Sequence, residues 1–210
     1  MNPSLTRRAL CLSYFTVAYN LAEGVISILL GVLARSVALV GFGLDSFVEA
    51  LSGGVMVWRF RQAGSLSEEE EERREARAIK LVGWTFLILG GYVLYESVTK
   101  LYYREAPEGS LWGIVLALVS LIVMPGLAHL KRRTGEAIGS ASLVADSKET
   151  LACAWLSLAL LLGLGLNYLF GLWWADPVAG LVIVVFLLRE GYELLRGEGC
   201  ECATCVPTGD

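Results

Sequence analysis

The sequence is poor in charge and nearly devoid of histidine: Asp, Glu, Lys and Arg make up 18% of its 210 residues, and His129 is its one histidine. A single imidazole leaves no serine, histidine and cysteine constellation for nucleophilic catalysis, so no enzyme is expected. Strand-like alternation of apolar and polar residues is missing from the long apolar stretches, which argues against a membrane barrel. No internal repeat with a period of about 20 to 50 residues is visible. Only 14 residues follow Arg196, so no second soluble domain is expected there.

What the chain has in excess is apolar surface. It is 55% hydrophobic, with a mean hydropathy of +0.59, more than one soluble core of this size uses. The apolar residues fall into six blocks, near Ala9–Leu33, Val37–Trp58, Ala78–Tyr103, Leu111–Leu130, Ile138–Leu164 and Trp173–Leu195. Each is long enough to cross roughly 30 Å of hydrocarbon at about 1.5 Å per helical residue. The expected fold is therefore all-α, a polytopic membrane protein with six transmembrane helices. Residues 1–196 are expected to form one six-helix transmembrane domain and 197–210 a cysteine-containing tail. The first block is too long, and too soon followed by a second, to be a cleaved signal peptide.

Lys and Arg set the expected orientation. Arg7, Arg8, Arg59, Arg61, Arg73, Arg74, Arg77, Lys80, Lys131, Arg132, Arg133, Arg189 and Arg196 fall on one side of a six-helix arrangement, and only Arg35, Lys100 and Arg104 on the other. That bias places both termini in the cytoplasm. The acidic loop Glu68–Glu75, in which five consecutive Glu precede Arg73 and Arg74, reads as a solvated helix start. Short outer connections predict that helices one and two, three and four, and five and six are antiparallel neighbours.

Ionisable side chains within such spans are costly and point to function. Helix two carries Asp45 and Glu49, one turn apart on one face and about 6 Å apart along the axis. Two like charges so placed repel unless a cation or proton lies between them. Helix five repeats the arrangement with Glu149 and Cys153, and Asp146 lies one turn before Glu149. Facing each other, the two helices would offer three carboxylates and a thiolate, a donor set that Zn²⁺ accepts and other divalent ions share. Helix one adds Glu23, with Asn20 a turn before it, as a further ligand or relay. His129 reads as interfacial, Glu96 as a partner of Lys100 at i+4, and Asp176 before Pro177 as the N-cap of helix six.

With these residues in place, the chain resembles the cation diffusion facilitator family, six-helix exporters of zinc and related divalent metals. The likeness is carried by SVALVGFGLDSFVEALSG, RTGEAIGSASLVADSKETLACA and WWADPVAGLVIVVFLLREGYELL, with support from LGGYVLYESVTKL. The resemblance implies a metal shell of Asp45 and Glu49 on helix two and Glu149 and Cys153 on helix five, with zinc as the substrate by analogy. Family members usually carry His or Asp, then Asp, on helix two, and His and Asp on helix five. A shell with no histidine and one soft sulfur opens iron, cobalt, manganese and cadmium as alternatives. Protons would compete with metal for these carboxylates and this thiol, which points to metal/proton antiport, and the resemblance implies a short branch of the family without the carboxy-terminal cytoplasmic domain. A homodimer would then assemble through the transmembrane helices. The partners expected are the lipid bilayer and divalent metal ions, with no nucleic acid.

The last residues include Cys200, Cys202 and Cys205, three thiols whose CxC and CxxC spacing can chelate a thiophilic metal. They would be the sensing element in a competing reading, a non-transporting membrane protein that binds metal as a sensor or partner subunit.

Overall fold

The computed structural model describes residues 3–62, 68–105 and 107–196. Each apolar block is helical: α1 is Pro3–Ala34, α2 Val37–Gln62, α3 Glu68–Tyr103, α4 Leu111–Ile138, α5 Ala141–Phe170 and α6 Ala175–Arg196. The helix ends follow local chemistry. Gly139 and Gly171 take left-handed conformations, φ 68° and 65°, and close α4 and α5. Ser110 and Ser140 accept the Gly113 and Leu143 amides and start α4 and α5. The Gly139–Ser140 turn therefore divides the apolar stretch that begins at Ile138, and α5 starts at Ala141.

The bundle is built from three tightly packed pairs, α1 with α2, α4 with α5, and α3 with α6. In the first pair the backbones nearly touch. A Cβ on Gly24 would lie 3.0 Å from the Gly43 carbonyl, and one on Gly43 would lie 3.0 Å from the Gly24 carbonyl. Gly31 is as tightly held, 2.8 Å from the Val40 amide by the same measure.

One expected neighbour pair is replaced. Helix α3 packs on α6, with little contact to α4, because the connection between α3 and α4 reaches across one end of the bundle. Its Glu108 amide bonds to Ala34 at the end of α1, and the Asn167 side chain of α5 donates to Pro107.

Asp176 also departs from expectation. It lies inside the first turn of α6, and its buried carboxylate is spent on α2, accepting the Val37 amide at 3.0 Å and the Ser36 hydroxyl. Ser36 in turn accepts the Leu39 amide, so one carboxylate from α6 completes the cap of another helix. Lys100 donates to the Arg35 carbonyl at the same end.

The bundle is apolar outside and partly polar inside. Ile88, Trp112, Ile122, Trp155 and Val185 are exposed, whereas on α1 Ser13, Thr16, Asn20, Glu23 and Ser27 are all buried. Their three- and four-residue spacing lines one face of the helix. An apolar core of Leu39, Phe42, Met124, Leu160, Ile183 and Leu187 joins α2, α4, α5 and α6. Among the described residues, four helices contain spans long and apolar enough to cross a membrane: Leu5–Ala34, Val37–Trp58, Leu111–Ile138 and Asp146–Phe170. The exposed apolar surface and these spans identify an integral membrane protein.

Candidate metal site

Helices α2 and α5 bring the predicted side chains to a common interface, with α4 closing one side. Glu49 is buried. Its Oε1 accepts the Thr150 hydroxyl at 2.6 Å, and its Oε2 has no hydrogen-bond partner. The buried Cys153 thiol neighbours this carboxyl, with Asp45 and Glu23 within electrostatic reach. Asp45 and Glu149 are half-buried. Glu149 Oε2 accepts the Ser52 hydroxyl at 2.7 Å, and Ser52 lies 3.4 Å from Asp146 Oδ1.

Lys131 is the main departure from the sequence reading. It does not flank the bundle with Arg132 and Arg133 but is fully buried, its Nζ 2.9 Å from Asp146 Oδ2 and 4.0 Å from Glu49 Oε1. It also donates to Thr150 at 2.8 Å. The register explains the difference. Arg132 and Glu136 pair on the exposed face of α4, and Lys131, one residue earlier, turns toward α5.

Beside this network lies a second polar group on α1. Glu23 accepts the Tyr19 hydroxyl at 3.1 Å and the Ser46 hydroxyl at 3.1 Å, so both of its oxygens are engaged. Asn20 is fully buried and neither its amide nitrogen nor its oxygen has a hydrogen-bond partner.

Among the described residues no three Asp, Glu, Cys or His side chains stand together as a closed metal shell. Asp45, Glu49, Glu149 and Cys153 share the interface, but Glu149 is turned to Ser52 and Glu49 is divided between Thr150 and an open oxygen. Asp146 is drawn to Lys131. Cys200, Cys202 and Cys205 lie outside the described residues. Lys131, Thr150, Ser52, Ser46 and Tyr19 were missed by the sequence reading. For Ser52 and Ser46 a signal existed, since each lies three residues from Glu49 on the same helix.

The fold and interface define a helical membrane protein with carboxylates and a thiol buried between its spans. The cation efflux transmembrane domain family matches residues 13–198, and the chain belongs to that family. It is 24% identical over 190 residues to transmembrane protein 163 of Xenopus laevis, covering 90% of this chain and 66% of that protein. It is 27% identical over 172 residues to a probable cation efflux system protein of Mycobacterium tuberculosis, covering 78% and 50%. With a cation-efflux pump of Shewanella oneidensis the identity is 24% over 183 residues, covering 85% and 62%. The chain thus spans between half and two thirds of the length of these curated relatives.

Proposed function

We propose that the protein exports divalent metal cations, and that the ion passes between α2 and α5 through a shell made by Asp45, Glu49, Glu149 and Cys153. The observation that carries this reading is Glu49 Oε2, a buried carboxylate oxygen with no hydrogen-bond partner, set beside a buried thiol at the α2–α5 interface. An unsatisfied carboxylate oxygen in low dielectric is costly, and a divalent cation would satisfy it. Small rotamer changes that release Glu149 from Ser52 would bring the second helix's carboxylate into the shell.

Two hard carboxylates from α2 and a carboxylate plus a sulfur from α5 form a mixed donor set. It suits zinc, with iron, cobalt, manganese and cadmium as neighbouring choices. All six helices cross the bilayer in this reading. Helices α3 and α6 are carried as a mutually packed pair.

Because carboxylates and thiolate must be deprotonated to hold metal, protons compete with the ion for the same atoms. Metal loaded on the cytoplasmic side, where both termini lie, would be released to protons on the other, an alternating-access antiport. The protein acts as a homodimer joined through its transmembrane helices.

Zinc uptake into proteoliposomes containing the purified protein tests the proposal. Asp45→Asn should abolish uptake, and full activity in that variant would remove the site. Collapsing an imposed pH gradient should slow uptake; flux indifferent to the gradient would remove proton exchange while leaving metal transport standing.

A further inference from the structure

The ion-pair network around Lys131 does more than neutralise charge. Its ammonium touches three groups on two helices: Asp146 Oδ2 at 2.9 Å, Thr150 Oγ1 at 2.8 Å and, more distantly, Glu49 Oε1 at 4.0 Å. The Thr150 hydroxyl accepts from Lys131 and passes its own hydrogen to Glu49 Oε1 at 2.6 Å. The chain Lys131, Thr150, Glu49 thus runs from α4 through α5 to α2, every member buried. Its effect is selective. One oxygen of Glu49 is occupied and the other left open, and a further carboxylate, Asp146, is held by the ammonium.

We infer that Lys131 is a specificity-determining residue of the α2–α5 site: by holding Asp146 directly, and by orienting the Thr150 hydroxyl that occupies one oxygen of Glu49, it limits the number of carboxylate oxygens a bound ion can gather. This inference rests on the metal site proposed above. Ions that favour many oxygen ligands, such as Mn²⁺ and Ca²⁺, lose most from that restriction. Zn²⁺, content with four donors that include sulfur, loses least. A buried fixed positive charge also opposes any second positive charge nearby, because the attraction and repulsion of charges are little screened there. Lys131 therefore sets both the oxygen count and the formal charge that an entering cation meets.

The test is calorimetric titration of the purified protein in detergent with ZnCl₂ and MnCl₂. Lys131→Met should raise Mn²⁺ affinity relative to Zn²⁺ by about tenfold or more, since Asp146 is released and the positive charge near Glu49 is removed. Lys131→Arg should leave the ratio near that of the unaltered protein. A role confined to packing would move both affinities together, so an unchanged ratio in folded Lys131→Met overturns the inference.

Breaking a buried pair from one side can unfold a protein, whereas removing both partners is often tolerated. The comparison of Asp146→Asn with the double variant Lys131→Met/Asp146→Asn covers that case. The single variant should weaken Zn²⁺ binding about fivefold or more, because Lys131 then has only Glu49 to pair with. The double variant should regain the lost affinity, and a double variant as weak as the single one overturns the inference. Asp45→Asn separates this from failure of the site itself. If that variant abolishes Zn²⁺ binding while the Lys131→Met ratio stays fixed, only the role of Lys131 falls. If Asp45→Asn leaves binding unaltered, the α2–α5 site falls with it.

Discussion

Asp176→Ala should destabilise the bundle by about 2–4 kcal/mol, although Asp176 meets α2 at its first residue, about two to three turns from the metal residues Asp45 and Glu49. The magnitude follows from two hydrogen bonds to a charged acceptor, each contributing about 1.5–3 kcal/mol. Relief from burying the carboxylate offsets part of this. The bonds come from the Val37 amide and the Ser36 hydroxyl, and the substitution leaves that amide without its acceptor at a fully buried site. Had Asp176 capped only its own helix, the loss would be nearer ~1 kcal/mol. Equilibrium unfolding in mixed detergent micelles, followed by helical circular dichroism, measures the difference. Ser36→Ala and the double variant complete a cycle. Because the two side chains are bonded to each other, their effects should fall short of additivity by about 1 kcal/mol or more. Additive losses, or a loss below ~0.5 kcal/mol for Asp176→Ala, would refute the cross-helix cap.

Gly43→Val should destabilise by about 1–3 kcal/mol, read as a lower unfolding midpoint, because its side chain meets the Gly24 carbonyl and Ile28. Asn20→Leu should raise stability by ~1 kcal/mol or more in the same assay, since it removes two buried polar atoms that lack partners. The same change should slow metal uptake if the α1 stripe borders the ion's route. Replacing Glu149 with His and Cys153 with Asp together gives α5 the donors its family usually carries; zinc uptake should persist while cadmium uptake falls with loss of the sulfur.

The helices were legible because a bilayer demands about 20 apolar residues in a row, a signal that tertiary context cannot override. Val37–Trp58 was read with the same bounds as the span found in α2. The pairing of α3 with α6 was not legible, because adjacency in sequence is only a tendency and the loop at Pro107 is anchored elsewhere by Asn167. The acidic residues of α2 and α5 were visible from their one-turn spacing. Lys131 was hidden by its neighbours: in the run Lys131, Arg132, Arg133 only the helical phase says which charge turns inward, and the phase depends on where α4 meets α5. Asp176 was misjudged for a related reason. A carboxylate at a helix start satisfies whichever orphan amides are nearest, and those of α2 lay within reach.

The pairing of α3 with α6 bears on how the chain enters the membrane during synthesis. Residues 104–196 separate the end of α3 from the end of α6. At about 5–20 residues per second, α3 waits roughly 5–20 s for its partner to emerge. During that interval the α1–α2 and α4–α5 hairpins, each joined by a short turn and each made of strongly apolar spans, can assemble by themselves. α3 has no such local companion. Helix α3 therefore goes without its main packing partner while α4 and α5 are made, and α6 completes a pairing that α3 began.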